Sequence, residues 1–217
     1  MSVRVLLVDD HELMRQGLRS ILERDEEVEV VGEAASGRAA VELARTLHPD
    51  VVVMDVAMKD LNGIEATREI RGEHPETQVL ALSSHSDSRY VSAMLEAGAC
   101  GYVLKANAYA ELREALEAAR KGNSYLCPDV TRAVVDASLH KFGSPVASLY
   151  TLLSGREREV LQLLAEGHSS PQIGKRLYVA TSTVETHRRN IMRKLGIHNV
   201  ADLTKYAIRE GLTELES

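Results

Sequence analysis

Polar side chains follow four short apolar segments of the chain, at the point where each segment ends. Asp9 and Asp10 follow the first segment, Asp55 ends the second, Ser83 follows the third and Lys105 follows the fourth. Carboxylates removed from water must be paired, protonated or bound to a cation. Three carboxylates with one hydroxyl and one ammonium group therefore indicate a shared polar site, at which a positive charge offsets the acidic groups.

The apolar segments are typical of strands in a parallel sheet. Residues 51–54 are apolar on both faces, as expected for a strand that is covered on both sides. Stretches with helical spacing of apolar residues separate the segments, so strand and helix alternate five times over residues 3–121. The predicted helices are Glu12–Arg24, Arg38–Leu47, Gly63–Arg71, Arg89–Ala97 and Tyr109–Lys121.

Five strand–helix units with short connections predict an α/β fold, a doubly wound parallel sheet with right-handed crossovers. We expect the flavodoxin-like (βα)5 arrangement, with strand order 2-1-3-4-5. The first and third strands are neighbours in that order. Asp9, Asp10 and Asp55 should therefore meet where the strand order reverses, the edge at which open α/β sheets bind ligands.

The alternation of strands and helices ends at Gly122. Residues 128–140 are predicted to form one more helix, and residues 141–145 read as a linker. Only helices are predicted beyond it, which adds an all-α part to the fold. The sequence thus divides into an α/β domain at 1–122, a helical linker at 123–150 and a four-helix domain at 151–217.

Three serines mark helix starts in the C-terminal domain. Ser154, Ser169 and Ser182 each stand three residues before Glu or Gln, which is the spacing of a capping box. A helix, a short turn and then a basic helix form the helix-turn-helix arrangement of DNA-binding proteins. A fourth helix, Val200–Glu210, completes the predicted domain.

The charge of the chain is unevenly distributed. Residues 1–125 carry 14 Lys and Arg against 22 Asp and Glu, whereas residues 175–194 carry six basic side chains against Glu185 alone. An acidic body with one basic stripe indicates a nucleic-acid face on one domain only. On charge alone, a solvated basic helix is the alternative interpretation.

Composition excludes several classes of protein. The sequence shows neither an apolar signal segment after Met1 nor a run of about 18 apolar residues, so we expect no export and no membrane span. Cys100 and Cys127 do not have the spacing of a zinc site, and Cys100 is interpreted as a packing residue. A cytoplasmic protein is expected.

A set of short motifs then extends over nearly the whole chain. They are Val8–His11, Met54–Asp55, Gly63, Glu65, Leu82–Ser83, Gly101–Lys105, Ser154–Leu161 and Thr183–Leu195. Each motif is unspecific alone, but in this order and spacing the chain resembles two-component response regulators of the NarL/FixJ type. In that family a phosphoacceptor receiver is joined to a LuxR-type helix-turn-helix domain.

The resemblance implies a role for each residue of the polar site. Asp55 would be phosphorylated by a sensor histidine kinase, and Asp9, Asp10 and Asp55 would hold Mg²⁺ together with the backbone carbonyl of Ala57. Mg²⁺ prefers such oxygen ligands. Lys105 would bind a phosphoryl oxygen, and Ser83 would donate a hydrogen bond to another. Tyr102 would then follow Ser83 inward and change the surface.

The resemblance also assigns the DNA-binding face. Double-stranded promoter DNA would be bound by Lys175, Thr183, Glu185, Thr186, Arg188, Arg189, Asn190 and Lys194. Arg189 is predicted to read a base, while Lys175, Arg188, Asn190 and Lys194 are predicted phosphate contacts. For Glu185 we favour a structural interpretation, because it has capping-box spacing from Ser182 and ion-pair spacing to Arg189.

Phosphorylation is expected to promote a homodimer. A small helix-turn-helix binds weakly alone, and a dimer reads two half-sites about one helical turn apart. Val200, Leu203 and Ala207 share one helix face and are a candidate contact. Packing of that face within the domain is the alternative.

One departure from the family pattern lies near Asp55. Family members usually have proline four residues after the phosphoacceptor, where this chain has Lys59. Because proline would restrict the backbone, the loop at Lys59 is predicted to be more mobile. This departure bears on the rate of activation and the lifetime of the phosphoryl group.

Two other functions remain as alternatives. Phosphatases of the haloacid dehalogenase kind also use a nucleophilic aspartate with Mg²⁺, but they carry it in an Asp-x-Asp pattern after the first strand, and Asp9-Asp10-His11 lacks that pattern. A DNA-binding protein with a vestigial receiver is the second alternative, and Lys59 is the only sequence feature that favours it. Turnover of a generic phosphate ester would favour the phosphatase alternative. Because the Asp-x-Asp pattern is missing, the chain is expected not to be a turnover enzyme.

Overall fold

The computed structural model describes residues 2–132, residue 134 and residues 152–213. The chain divides into two units, residues 1–143 and 144–217, and each has its own hydrophobic core. The helix predicted from Pro128 is helical over residues 128–132, while residues 135–140 and the linker at 141–145 lie outside the described residues. The domain boundaries therefore stay predictions.

A six-stranded sheet forms the centre of the first unit. Its strands are β1 (Val3–Val8), β2 (Val28–Ala34), β3 (Val51–Asp55), β4 (Gln78–Ser83), β5 (Gly101–Leu104) and β6 (Tyr125–Leu126). The order is β2-β1-β3-β4-β5-β6, and every neighbouring pair is parallel. The flavodoxin-like order of the first five strands is confirmed. β6 was not predicted, since two residues are too few to show an alternating pattern.

Five helices connect the strands, as predicted. They are α1 (Glu12–Leu22), α2 (Gly37–Leu47), α3 (Gly63–Glu73), α4 (Ser88–Glu96) and α5 (Ala108–Arg120). Side chains fix several starts: Ser36 accepts a hydrogen bond from Ala39 N at 3.3 Å, and Asn62 accepts one from Glu65 N at 3.0 Å. Such caps satisfy backbone donors at the helix start that have no partner within the helix.

The sheet is covered on both faces, which explains its apolar strands. Leu18 and Leu22 of α1 and Leu112 and Leu116 of α5 pack in one cluster with alternate residues of β1, β3 and β4. All five residues of β3 are buried. Burying one such leucine side chain stabilises the fold by roughly 1.5–3 kcal/mol, so the strand that ends in Asp55 is firmly placed.

Within residues 153–213, the second unit contains four helices. They are α6 (Gly155–Ala165), α7 (Ser170–Arg176), α8 (Thr181–Leu195) and α9 (Val200–Arg209). Val184 and Ile191 of α8 are buried in a core that also contains Leu203 and Ala207 of α9. The interpretation of Leu203 and Ala207 as a dimer contact is therefore wrong, because the domain's own core covers them. Val200 is 40% exposed.

Among the helices of the described residues, none combines the length and the apolar character needed to cross a membrane.

Candidate functional site

The register of the sheet brings the first two acidic segments together. Val8 of β1 lies beside Met54 of β3, so Asp9 and Asp55 follow from neighbouring strands at the same edge. α3 begins directly against this edge. A Cβ at Gly63 would lie 1.9 Å from the carbonyl oxygen of Asp55, so only glycine permits this approach. The backbone of Asp55 is thus fixed by the sheet on one side and by the start of α3 on the other.

Lys105 joins the two carboxylates. Its Nζ lies 2.8 Å from Oδ2 of Asp9 and 2.8 Å from Oδ2 of Asp55. Asp9 is fully buried and Asp55 nearly so. Burial alone would lower the pKa of Lys105, but Asp55 and Asp9 hold that pKa above its ordinary value. The side chain is therefore an ammonium ion that can attract an incoming anionic group.

Asp55 is held in an unfavourable setting for a carboxylate. Burial and the charge of Asp9 raise the pKa of Asp55 to about 7, although Lys105 opposes the shift. Near neutral pH an additional cation would favour the ionised form. Since the ionised form is the nucleophile, cation binding and reactivity are coupled at this residue.

Asp10 and His11 complete the cluster of potential ligands. Nδ1 of His11 lies 2.8 Å from Oδ1 of Asp10, and the backbone N–H of His11 donates to Oδ1 of Asp9 at 2.9 Å. Ligand atoms of Asp9, Asp10, His11 and Asp55 all lie within 4.8 Å of one another. His11 was not predicted to have a role in the site, although its position directly after the acidic pair is a signal for one.

The residues present fit a hard divalent cation. Oδ2 of Asp9 and Oδ2 of Asp55 are inaccessible to water, and neither receives a well-aligned hydrogen bond, although the Lys105 ammonium lies near both. Carboxylate oxygens of this kind are the ligands that Mg²⁺ prefers. An acidic pocket is therefore present, as expected for the Mg²⁺ site.

Ser83 lies on β4, the neighbour of β3, and Tyr102 lies on β5, the next strand in the sheet. Ser83, the last residue of β4, is buried, and its Oγ accepts a hydrogen bond from the backbone N–H of His85 at 3.0 Å. Tyr102 of β5 is fully buried, and its hydroxyl donates to the carbonyl of His85 at 2.8 Å. Both residues predicted to switch together therefore contact the same residue, His85.

The loop between β3 and α3 is anchored on both sides of Lys59. Met58 and Leu61 are buried, and Asp60 has the left-handed backbone conformation at φ 66°. Ala57, whose carbonyl was assigned to the metal site, is half-buried two residues beyond Asp55. The greater mobility predicted for this loop stays a prediction.

The outward face of α8 carries most of the residues assigned to DNA. Thr183, Thr186 and Arg189 are exposed, and Glu185, Arg188 and Asn190 are half-buried. Lys175 is exposed near the end of α7. Nη2 of Arg189 lies 3.4 Å from the hydroxyl of Thr186, its neighbour one turn earlier. The basic face predicted from charge is thus present on the second helix of the motif.

The capping box predicted from Ser182 is wrong. α8 begins two residues earlier than that capping box requires, at Thr181 with Ala180 as its N-cap, so Ser182 lies inside the first turn. Glu185 instead accepts a hydrogen bond from the hydroxyl of Ser170 at the start of α7. Its ion pair is with Arg188, at 3.6 Å, rather than with Arg189. Glu185 thus links α7 to α8 through contacts other than the two predicted for it.

Lys194 binds within its own domain. Its Nζ donates to Oε2 of Glu157 at 2.6 Å. The Ser154 capping box is confirmed, since Ser154 N donates to the same oxygen at 2.9 Å and Ser154 Oγ accepts from Glu157 N at 3.4 Å. This connection, which was not predicted from the sequence, fixes the end of α8 against the start of α6.

Low pH should weaken this connection. Burial alone would raise the pKa of Glu157, but hydrogen bonds from Lys194 and Ser154 lower that pKa below its ordinary value of 4.5. A carboxylate with a depressed folded pKa stabilises the fold above its unfolded pKa, and this contribution is lost as pH falls through the folded pKa. Below about pH 4.5 the stability gap between wild type and Glu157→Gln should therefore shrink.

Urea unfolding followed by circular dichroism between pH 3 and 7 measures the gap. A constant gap between wild type and Glu157→Gln across this range would contradict the assignment.

Two families match the two units. Residues 5–117 match the response regulator receiver domain, and residues 151–207 match the bacterial regulatory proteins of the luxR family. Transcriptional regulatory protein LiaR of Bacillus subtilis is 39% identical over 210 residues, which cover 97% of this chain and 99% of that protein. Response regulator protein VraR of Staphylococcus aureus is 35% identical over 214 residues, covering 99% of this chain and 100% of that protein.

Solved structures of similar chains include that of RcsB from Salmonella enterica serovar Typhimurium, bound to a promoter in the presence of the phosphomimetic BeF3−. It is 31% identical, covers 95% of this chain and 98% of its own, and has a TM-score of 0.63. A LuxR-family two-component response regulator from Aurantimonas is 38% identical and covers 64% of this chain and 99% of its own, with a TM-score of 0.62.

Proposed function

Because this chain belongs to the response regulator family, we propose that Asp55 accepts the phosphoryl group and that α8 contacts the DNA bases. The chain is a receiver joined to a LuxR-type DNA-binding domain, and it regulates transcription in a two-component system. The observation that carries the assignment is the position of Lys105, 2.8 Å from the carboxylates of both Asp9 and Asp55. The phosphoryl donor is a sensor histidine kinase.

The proposed step is attack by a carboxylate oxygen of Asp55 on phosphorus. The bond between phosphorus and the imidazole nitrogen of the donor histidine breaks, that nitrogen keeps the electron pair, and an acyl phosphate forms on Asp55. The Lys105 ammonium then moves from a carboxylate to a phosphoryl oxygen, to which it is attracted as a point charge. Transfer from a cognate kinase, followed on a phosphate-affinity gel, tests this proposal.

Asp9, Asp10, Asp55 and the carbonyl of Ala57 would hold Mg²⁺. The ion would supply neutralising charge where the carboxylates and a phosphoryl group meet. His11 adjoins the same cluster, and its Nδ1, which lies 2.8 Å from Oδ1 of Asp10, helps to orient that carboxylate.

Mg²⁺ should therefore stabilise the first unit. A ligand at about ten times its Kd adds about 1.4 kcal/mol to the free energy of unfolding, which corresponds to roughly 5 °C in Tm for a unit of this size. Thermal unfolding with and without Mg²⁺ measures this shift. Asp10→Asn should reduce it, whereas Asp87→Asn, at the start of α4, should leave it unchanged. An equal shift in both variants would place the bound ion elsewhere.

The switch would run through His85. The Ser83 hydroxyl donates a hydrogen bond to the phosphoryl group, and this pulls the loop after β4 toward Asp55. His85 in that loop contacts both Ser83 and Tyr102. Movement at the phosphorylated aspartate is thereby transmitted to the surface beside α4. The chain is not a turnover enzyme in this scheme, and we expect no hydrolysis of a generic phosphate ester.

The output would be a homodimer on promoter DNA, in the cytoplasm. A solved structure shows two dimers of the related RcsB bound to two parallel DNAs. In this chain Thr183, Thr186 and Arg189 present the exposed side of α8 to base edges, and Lys175 and Arg188 bind phosphates. Lys194 contributes by fixing α8 through Glu157, in addition to its charge.

A further inference from the structure

A second group of potential metal ligands lies at the other end of β3 from Asp55. His48 precedes β3, and His74 and Glu76 lie in the connection between α3 and β4. One ligand atom from each lies within 4.8 Å of the others. The two imidazole rings meet edge to face, with centroids 5.7 Å apart, and Nδ1 of His74 lies 3.6 Å from Oε1 of Glu76.

His74 has an unused nitrogen. Its Nε2 is inaccessible to water and has no hydrogen-bond partner among the described residues. A buried polar atom without a partner is unfavourable, and the other ring nitrogen, Nδ1, lies 3.6 Å from Oε1 of Glu76 within the ligand group. His48 is exposed, so the group remains open to an ion from solution. The group therefore offers imidazole nitrogens as ligands and has an exposed side from which a metal ion can enter.

The backbone on both sides of the group is held in place. The Thr77 hydroxyl donates to the carbonyl of Pro49 at 3.0 Å, which ties the two ligand-bearing connections together. Arg71 donates to the carbonyl of Thr77 at 2.6 Å, and Arg4 donates to the carbonyl of His48 at 2.8 Å. Ligands on fixed backbone need little rearrangement to bind, which is the requirement of a preorganised site.

We propose that His48, His74 and Glu76 bind a transition-metal ion of the Zn²⁺ class. Two imidazoles and one carboxylate suit zinc, whereas Mg²⁺ prefers oxygen ligands throughout. Three protein ligands leave a fourth tetrahedral position for water or an external ligand. The ion joins the end of α2 to the connection after α3, and it is separate from the acidic edge at Asp55.

Zinc affinity of the full chain tests the proposal, by competition with a chromogenic chelator in excess Mg²⁺. Wild type should bind at the His48 group, and His48→Asn or His74→Gln should each weaken that binding about tenfold or more. Asn suits position 48 because its backbone is left-handed, at φ 45°. His198→Asn, an exposed histidine of the second unit, is the matched control and should bind as wild type does.

Asp9→Asn separates this group from the acidic edge and should leave the zinc affinity unchanged. The proposal is overturned if both histidine variants bind zinc as tightly as wild type, if Asp9→Asn causes the loss instead, or if wild type retains no zinc against the chelator. Circular dichroism of each variant confirms that an affinity loss is not a loss of fold.

Discussion

Replacement of Asp55 by Asn is expected to abolish labelling of the chain by a small phosphodonor in the presence of Mg²⁺. The amide keeps the shape of the side chain but lacks the anionic oxygen that attacks phosphorus. Asp55 is the carboxylate at the end of β3, where it is buried and lies 2.8 Å from the Lys105 ammonium. Its replacement therefore removes the proposed acceptor from this position. A phosphate-affinity gel that separates phosphorylated from unmodified chain measures the labelling.

Asp60→Asn is the matched control for this experiment. Asp60 lies in the loop between β3 and α3, and its backbone is left-handed, at φ 66°, a conformation that Asn also tolerates. It should be labelled as wild type is. Labelling of Asp55→Asn at the wild-type level would place the phosphoacceptor elsewhere and refute the central assignment of the first unit.

The second large effect is expected at Arg189. An arginine can donate two hydrogen bonds to the O6 and N7 atoms of guanine, and Arg189 is exposed on the outward face of α8. Arg189→Ala should weaken binding by about 1–3 kcal/mol at one base pair and relax the preference there. Affinities for a panel of single-base operator variants measure both effects.

Lys175→Ala provides the contrast. Loss of a phosphate contact should weaken the binding of specific and non-specific DNA alike, and it should reduce the dependence of affinity on salt. If Arg189→Ala lowers the affinity of every operator variant equally, Arg189 binds phosphate and the residue that reads the base lies elsewhere on α8.

The acidic edge could be predicted from the sequence because its signals are local. Asp9, Asp55, Ser83 and Lys105 each follow an apolar segment directly, and the strand order then determines that they meet. The connection between Glu157 and Lys194 could not be predicted in this way, because 37 residues separate the partners and neither has a pattern that indicates the other. The same holds for His48 and His74, which the sheet brings together from different connections.

Two errors arose where one pattern permits two structures. Thr181, Ser182 and Thr183 can each begin a helix, and the structure begins α8 at the first of them, which removes Ser182 from the capping position. The apolar stripe of Leu203 and Ala207 indicates that one face of α9 is covered. The stripe does not indicate whether the same domain or a second chain covers it. In the structure the covering residues come from the same domain.

The approach of α3 to Asp55 constrains how this chain can vary over evolutionary time. Every side chain at position 63, even a single methyl group, would overlap the carbonyl oxygen of the residue that carries the chemistry. Position 63 is therefore expected to tolerate no replacement, although it bears no charge and takes part in no reaction. Its invariance among descendants of this chain would record a steric limit set by the neighbouring strand and not a chemical role of its own.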